Sequence, residues 1–174
     1  MRKIENKATV STIEIPEAEY VTILETLQKL LGMHMNLIGF YKLESDLKKH
    51  HRAYLHVREE AEAVIENDLS EIDDIMNQFG GFLENAACRH CECSEDASKD
   101  EDPCVIMHME DLRAMQQDMI DLTDAIDILA KYYVATKYNA QVNKAHYDSS
   151  VNDARNLADK VFKKWENSIL EEIG

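Results

Sequence analysis

The segment from residue 88 to residue 104, CRHCECSEDASKDEDPC, contains all four cysteines of the 174-residue chain. It separates two long stretches in which apolar residues recur at helical spacing. The whole chain has 5 glycines and 2 prolines, so residues that interrupt helices are scarce. We therefore predict an all-α fold, either a long antiparallel helical hairpin or an elongated helical bundle, with the cysteine-containing segment at the apex.

The composition is consistent with one domain over residues 1–174, because 45% of the residues are hydrophobic and can form a core. The predicted parts are a short N-terminal extended arm or strand (1–16), a first helical half (17–87), a cysteine-containing acidic loop (88–104) and a second helical half (103–174). A break is expected near 48–51, and Asn67 and Asp68 resemble a second junction between helices.

The second half has the most regular apolar pattern in the chain. Asp102 and Pro103 are typical of an N-cap and a first helical residue, so a helix is expected to begin there. The apolar residues that follow have coiled-coil spacing: Met109, Leu112, Met115, Met119, Leu122, Ile126, Leu129 and Tyr133. This stripe should pack either against the helices within 43–79 or against a second copy of the chain, so a homodimer is one expectation.

The cysteines form a candidate structural zinc site. Cys88 and Cys91 have the spacing of a zinc knuckle, and Cys93 is an alternative ligand. Cys104 is expected in the first turn of the following helix, where the helix dipole favours a thiolate, and His108 would lie one turn further on the same face. A disulfide and free thiols are the two alternatives that the spacing leaves open.

The charge is distributed unevenly. The formal net charge of the chain is −15, whereas residues 51–130 alone contain 5 basic and 21 acidic side chains, a net of −16. If the cysteine segment is an apex, these carboxylates crowd at one end of the molecule. Such a surface repels nucleic acid and membranes and attracts basic partners. The candidate partner-binding residues are Glu59, Glu62, Glu66, Asp73, Asp74, Asp121, Asp124 and Asp127.

Patterns that would indicate an enzyme are weak. Glu59-x2-Glu62 followed by Glu71-x2-Asp74 resembles the acidic motifs of all-α nucleoside triphosphate pyrophosphohydrolases, which implies a magnesium site built by neighbouring helices. The chain has four histidines between residues 34 and 56 but no Glu-x-x-His motif, which a di-iron helical bundle requires. His34 is expected in the core or at an interface. Trp165 is expected in the core, with a partner-binding anchor as its alternative role.

The function expected from these patterns is that of an acidic helical protein-binding module rather than an enzyme. It would block the basic groove of a nucleic-acid-binding enzyme by imitating nucleic-acid charge, as phage-type anti-CRISPR and anti-restriction inhibitors do. An oligomerising scaffold protein and the magnesium-dependent pyrophosphohydrolase are the alternatives. The first residues lack an apolar signal region, so a cytoplasmic protein is expected, without membrane or direct nucleic-acid contact.

Overall fold

Four long helices and one short antiparallel strand pair make up the fold. The computed structural model describes residues 12–46, 52–89, 104–138 and 140–173, with side chains at 45–46, 52–54, 76, 78–89 and 171–173 left undescribed. The elements in chain order are β1 (Thr12–Pro16), α1 (Glu17–Asp46), α2 (Arg52–Arg89), β2 (Cys104–His108), α3 (Met109–Lys137) and α4 (Lys144–Ile173). The predicted all-α class with a short N-terminal strand is confirmed.

The helices alternate in direction along the bundle. Lys29 of α1 lies 3.8 Å from Glu71 of α2, and Glu44 lies 3.5 Å from Arg58, so α2 runs antiparallel to α1. Between α1 and α3, the ring centroids of Phe40 and Tyr133 are 5.0 Å apart. His34 of α1 also contacts Leu122 of α3. Because the contact at the higher residue number in α1 is also the one at the higher number in α3, the two helices run parallel.

The fourth helix, α4, returns antiparallel to both α1 and α3. The ring of Tyr147 lies 5.0 Å from Tyr41 and 4.6 Å from Tyr132, while Trp165 contacts Asp118 near the opposite end of α3. Helix α1 packs against all three other helices, and α3 also packs against α4. The hydrophobic core therefore surrounds α1 and lies mainly between α1, α3 and α4.

The regular apolar stripe of α3 is buried inside this bundle. Met115, Met119, Leu122 and Ile126 have no solvent exposure. The stripe was expected to pack against the helices within 43–79 or against a second copy. That expectation was wrong for most of its length, because α1 and α4 cover it. The surface proposed for oligomerisation is thus occupied within one chain.

The start of the second half also differs from the sequence prediction. Residues 104–108 form β2 and pair antiparallel with β1, with Ile15 opposite Val105 and Ile13 opposite Met107. Helix α3 begins at Met109 rather than at Pro103. Backbone hydrogen bonding between distant segments, together with burial of Ile13 and Ile15, outweighs the local preference for a helix start.

Helix α2 is continuous, so the junction predicted at Asn67 and Asp68 was wrong. The Ser70 hydroxyl donates to the Asn67 carbonyl, and the Asn67 side chain donates to Glu71 at 3.2 Å. These polar groups are therefore satisfied by residues of their own helix and do not end it. The break expected near 48–51 lies outside the described residues, between the end of α1 at Asp46 and the start of α2 at Arg52.

None of the helices, as far as residues are described, combines the length and the hydrophobicity needed to cross a membrane.

Candidate functional site

The most acidic surface of the described structure is the solvent-facing side of α2. Between Glu59 and Asp74 this helix has eight acidic side chains and no Lys or Arg. It buries one stripe against α1, centred on Ile65 and Ile75. We use the name acidic outer face for the exposed carboxylates opposite that stripe: Glu59, Glu60, Glu66, Asp73 and Asp74. At 100° per residue they cover about 140° of the helix circumference.

The length of the acidic outer face follows from helix geometry. Fifteen residues separate Glu59 from Asp74, which corresponds to about 22 Å at 1.5 Å per residue. Glu59, Glu66 and Asp73 are seven residues apart and therefore lie almost in line along the helix. The result is an elongated row of carboxylates on one rigid element.

Glu62 lies at the border of this face and is engaged within the chain. Its carboxylate accepts a hydrogen bond from Arg58 at 2.8 Å. The same guanidinium lies 3.5 Å from Glu44 and 6.0 Å from the centre of the Phe40 ring. Arg58 therefore connects α2 to α1, and Glu62 contributes to the packing of the two helices.

Glu66 belongs to the acidic outer face but also contacts α3. It accepts hydrogen bonds from Lys137 and, at 3.3 Å, from the Tyr133 hydroxyl. The hydrogen bond from Lys137 lowers the pKa of Glu66, and the same contact raises the pKa of Lys137. The pKa of Tyr133 is raised, first by burial and then by the charges of Glu66 and Glu62.

The three aspartates predicted on α3 point in different directions. Asp121 accepts a hydrogen bond from Gln117 at 2.8 Å, and Asp127 forms an ion pair with Lys131 at 2.6 Å. Asp124 is exposed. Because each step of three residues rotates by about 60°, the three carboxylates spread over a third of the helix circumference. Asp121, Asp124 and Asp127 therefore do not form a single row along α3.

The carboxylates of the described residues do not crowd at the cysteine apex as expected. Cys88 lies in the last turn of α2, 29 residues after Glu59, so about 43 Å of helix separates them. Glu59 lies near the α1–α2 connection, at the other end of the bundle. The acidic charge of the described part of the chain follows the side of α2, while the six acidic residues within 90–103 lie outside the described residues.

The acid pairs that resemble pyrophosphohydrolase motifs occupy a single helix. Glu59, Glu62, Glu71 and Asp74 all belong to α2, although the resemblance implied neighbouring helices. Glu59 and Glu71 are 12 residues apart, which corresponds to about 18 Å. One magnesium ion cannot bridge such a distance within one helix. Glu71 instead lies 3.8 Å from Lys29.

The candidate zinc ligands fall largely outside the described residues. This holds for Cys91 and Cys93, and for the side chain of Cys88. Cys104 and His108 are exposed at opposite ends of β2 and do not lie one helical turn apart as expected. Among described residues, no group of three or more His, Cys, Asp or Glu could hold a metal ion. Zinc binding through the cysteine segment stays a prediction, which elemental analysis of wild-type and Cys88→Ser protein can test.

Two residues expected in the core are found there. Trp165 is buried, and its indole nitrogen donates to Asp118 at 2.8 Å. His34 has no solvent exposure, and its Nε2 lies 2.8 Å from the Leu122 carbonyl oxygen. A carbonyl only accepts, so Nε2 carries a proton. Nδ1 has no hydrogen-bond partner in the described part of the chain.

The sequence prediction missed an apolar groove between α1 and α2, on the side of α2 away from α3. We call it the α1–α2 groove. Its volume is about 400 Å³, and its lining includes Met35, Gly39, Leu43, Val57, Ala61 and Val64. The buried ring of Phe40 also lines it. One signal in the sequence was Met35 between two glycines seven residues apart, Gly32 and Gly39.

Comparisons with known proteins add no relative to this description. No family model, no curated protein and no solved structure matches the chain.

Proposed function

We propose that this protein is an acidic binding module that docks onto a basic surface of another protein. The observation that carries the proposal is the acidic outer face of α2, which presents five exposed carboxylates. They belong to a segment, Glu59 to Asp74, that has eight acidic side chains and no Lys or Arg. Most of this helix circumference faces solvent, since α2 packs chiefly against α1. Within the described residues, Lys137 pairs with Glu66 and His56 lies 3.5 Å from Glu60, whereas no Lys or Arg pairs with Glu59, Asp73 or Asp74.

The chemistry of the face favours an arginine- or lysine-rich partner. Carboxylates held on a rigid helix can accept paired hydrogen bonds from guanidinium groups without first becoming ordered. A row of carboxylates about 22 Å long can occupy a groove that otherwise binds a nucleic-acid backbone. We therefore propose that the partner is a nucleic-acid-binding protein, that the module inhibits it by imitating phosphate charge, and that both act in the cytoplasm.

Affinity capture with competition tests this proposal. Wild-type protein is immobilised and exposed to a nuclease-treated lysate, and bound proteins are identified before and after addition of double-stranded DNA. The test variant combines Glu59→Gln, Glu60→Gln, Asp73→Asn and Asp74→Asn, all at exposed positions. We expect it to lose partners that bind the wild type and that DNA displaces.

A matched control keeps the total charge of the test variant. It combines Glu25→Gln, Asp111→Asn, Asp153→Asn and Asp159→Asn, which neutralise exposed carboxylates on the other three helices. The control should retain the same partners. If both variants lose the same partners, net charge determines binding and the position of the carboxylates does not. Captured partners that DNA does not displace would contradict the proposal that the module imitates nucleic acid.

A further inference from the structure

The α1–α2 groove is open to solvent although its walls are apolar. Met35 is 56% exposed, Val57 is 43% exposed and Val64 is 48% exposed. These three side chains surround a concavity whose floor includes Phe40, which is 1% exposed. Large apolar side chains that are grouped around a concave surface, rather than scattered singly, are typical of a binding site.

The dimensions of the groove suit a helix. Its α1 wall runs from Met35 to Leu43 and its α2 wall from Val57 to Val64, which corresponds to about 11–12 Å of each helix. That length equals about two turns of a third helix lying along the groove. Such a helix would insert apolar side chains at positions i, i+4 and i+7, as in other helix-in-groove complexes.

The two borders of the groove differ in charge. The α2 border has Glu60 in the lining, with Glu71 and Asp74 further along the same side of the helix. The α1 border has Lys42. A helix whose basic side turns towards α2 therefore complements the groove. A second copy of this chain is disfavoured, because the copies each have a net charge of −15 and α2 is strongly acidic.

We propose that the α1–α2 groove binds an amphipathic helix of a basic partner protein, with the apolar side of that helix in the groove and its Lys or Arg residues towards α2. The inference rests on the proposed function, because it names the structural element through which the partner engages the module. It adds an apolar anchor to the electrostatic attraction of the acidic outer face.

Gly39 offers a way to block the groove without disturbing the fold. A Cβ atom built at Gly39 would meet no atom within 4 Å, and the same holds for Gly32. Gly39 lines the groove, whereas Gly32 lies two turns away on the same helix and does not. Leucine at either position should also improve helix propensity. Gly39→Leu is therefore the blocking variant, and Gly32→Leu is its matched control.

The probe is a synthetic peptide of about 18 residues, in which Leu at i, i+4, i+7 and i+11 forms one side of a helix and Lys fills the rest. A second peptide has the same composition with Leu distributed around the helix. Binding is measured by fluorescence anisotropy. We expect the amphipathic peptide to bind the wild type, Gly39→Leu to weaken binding about tenfold, and Gly32→Leu to change it less than about twofold.

Several outcomes would overturn the inference. Equal binding of both peptides, or equal binding to Gly39→Leu and wild type, would mean that charge alone attracts the probe. Sedimentation of the protein without peptide provides another test, since a dimer that Gly39→Leu dissociates would assign the groove to a second copy. If captured partners survive Gly39→Leu but not neutralisation of the acidic outer face, the groove inference fails while the proposed function stands.

Discussion

The indole nitrogen of Trp165 donates a hydrogen bond to the carboxylate of Asp118 at 2.8 Å, in the interior between α3 and α4. The same carboxylate oxygen accepts a hydrogen bond from Lys164 at 2.7 Å. Asp118 is 7% exposed, so a charged group is buried with two donors aimed at one oxygen. Burial of a carboxylate is tolerated here because the cation and the indole satisfy it.

Loss of this carboxylate should destabilise the bundle. We expect Asp118→Ala to lower the free energy of unfolding by about 2–3 kcal/mol, since it leaves a buried indole N–H without an acceptor. Urea denaturation followed by fluorescence measures the change directly, because Trp165 is the only tryptophan. Asp124→Ala on the exposed side of α3 is the control and should change stability by less than about 0.5 kcal/mol. Equal effects would contradict the role given to Asp118.

His34 should make the fold sensitive to acid. Burial lowers its pKa, and the backbone carbonyls of Leu122 and Ala154 oppose that shift only in part. The folded protein therefore keeps His34 neutral, while the unfolded chain takes up a proton near pH 6.5. Stability is greatest above that pH and decreases as the pH falls from about 6.5 towards the lower folded-state pKa.

Thermal unfolding at several pH values tests the role of His34. The His34→Gln variant keeps a side-chain N–H for the Leu122 carbonyl but cannot titrate. We expect the wild-type melting temperature to fall more steeply than that of the variant between pH 7.5 and pH 5.5, a window that spans the ordinary pKa of about 6.5. Parallel curves would show that other groups cause the acid sensitivity.

Lys137 should control the titration of Glu66. Its hydrogen bond lowers the pKa of Glu66, so this contribution to stability is present above the ordinary carboxyl pKa and is lost as the pH falls through the lower folded-state value. We expect Lys137→Gln to raise the pKa of Glu66 towards its ordinary value in a carbon-detected NMR titration. Lys131→Gln, which removes the partner of Asp127, should leave the pKa of Glu66 unchanged.

Truncation of a side chain in the apolar stripe of α3 should lower the free energy of unfolding far more than truncation on the exposed side of the same helix. Leu122 is fully buried, so we expect Leu122→Ala to cost about 2–5 kcal/mol of unfolding free energy. Ile120 on the same helix is 37% exposed, and Ile120→Ala should cost less than about 1 kcal/mol. Chemical denaturation of both variants makes the comparison. Similar losses would place the stripe outside the core.

Alanine at either glycine of α1 should stabilise the protein. Gly32 and Gly39 lie within the helix, and an added Cβ would meet no atom within 4 Å. Replacement of Gly by Ala within a helix gains about 0.5–1 kcal/mol, because the unfolded chain loses conformational freedom and the backbone is better shielded. We expect Gly32→Ala and Gly39→Ala each to raise the melting temperature. A decrease would mean that α1 requires glycine at that position.

Local sequence was sufficient for the class of the fold and for the apolar side of α3. Scarce glycine and proline indicate helices, and the spacing from Met109 to Tyr133 identifies the side that must be buried, because both properties follow from a few neighbouring residues. The acidic character of α2 was equally visible, since charge is a property of composition. The burial of His34 and Trp165 was also foreseen.

Only the tertiary structure decided which surfaces meet. Helical periodicity identifies an apolar side but not what covers it, so the packing of the α3 stripe against α1 and α4 could not be predicted from spacing. Residues 104–108 were expected in the first turns of a helix that begins at Pro103, but they form β2. This could not be predicted locally, because β2 pairs with β1, a segment about 90 residues away. The α1–α2 groove and the separation of the carboxylates from Cys88 likewise depend on the spatial arrangement of the long helices.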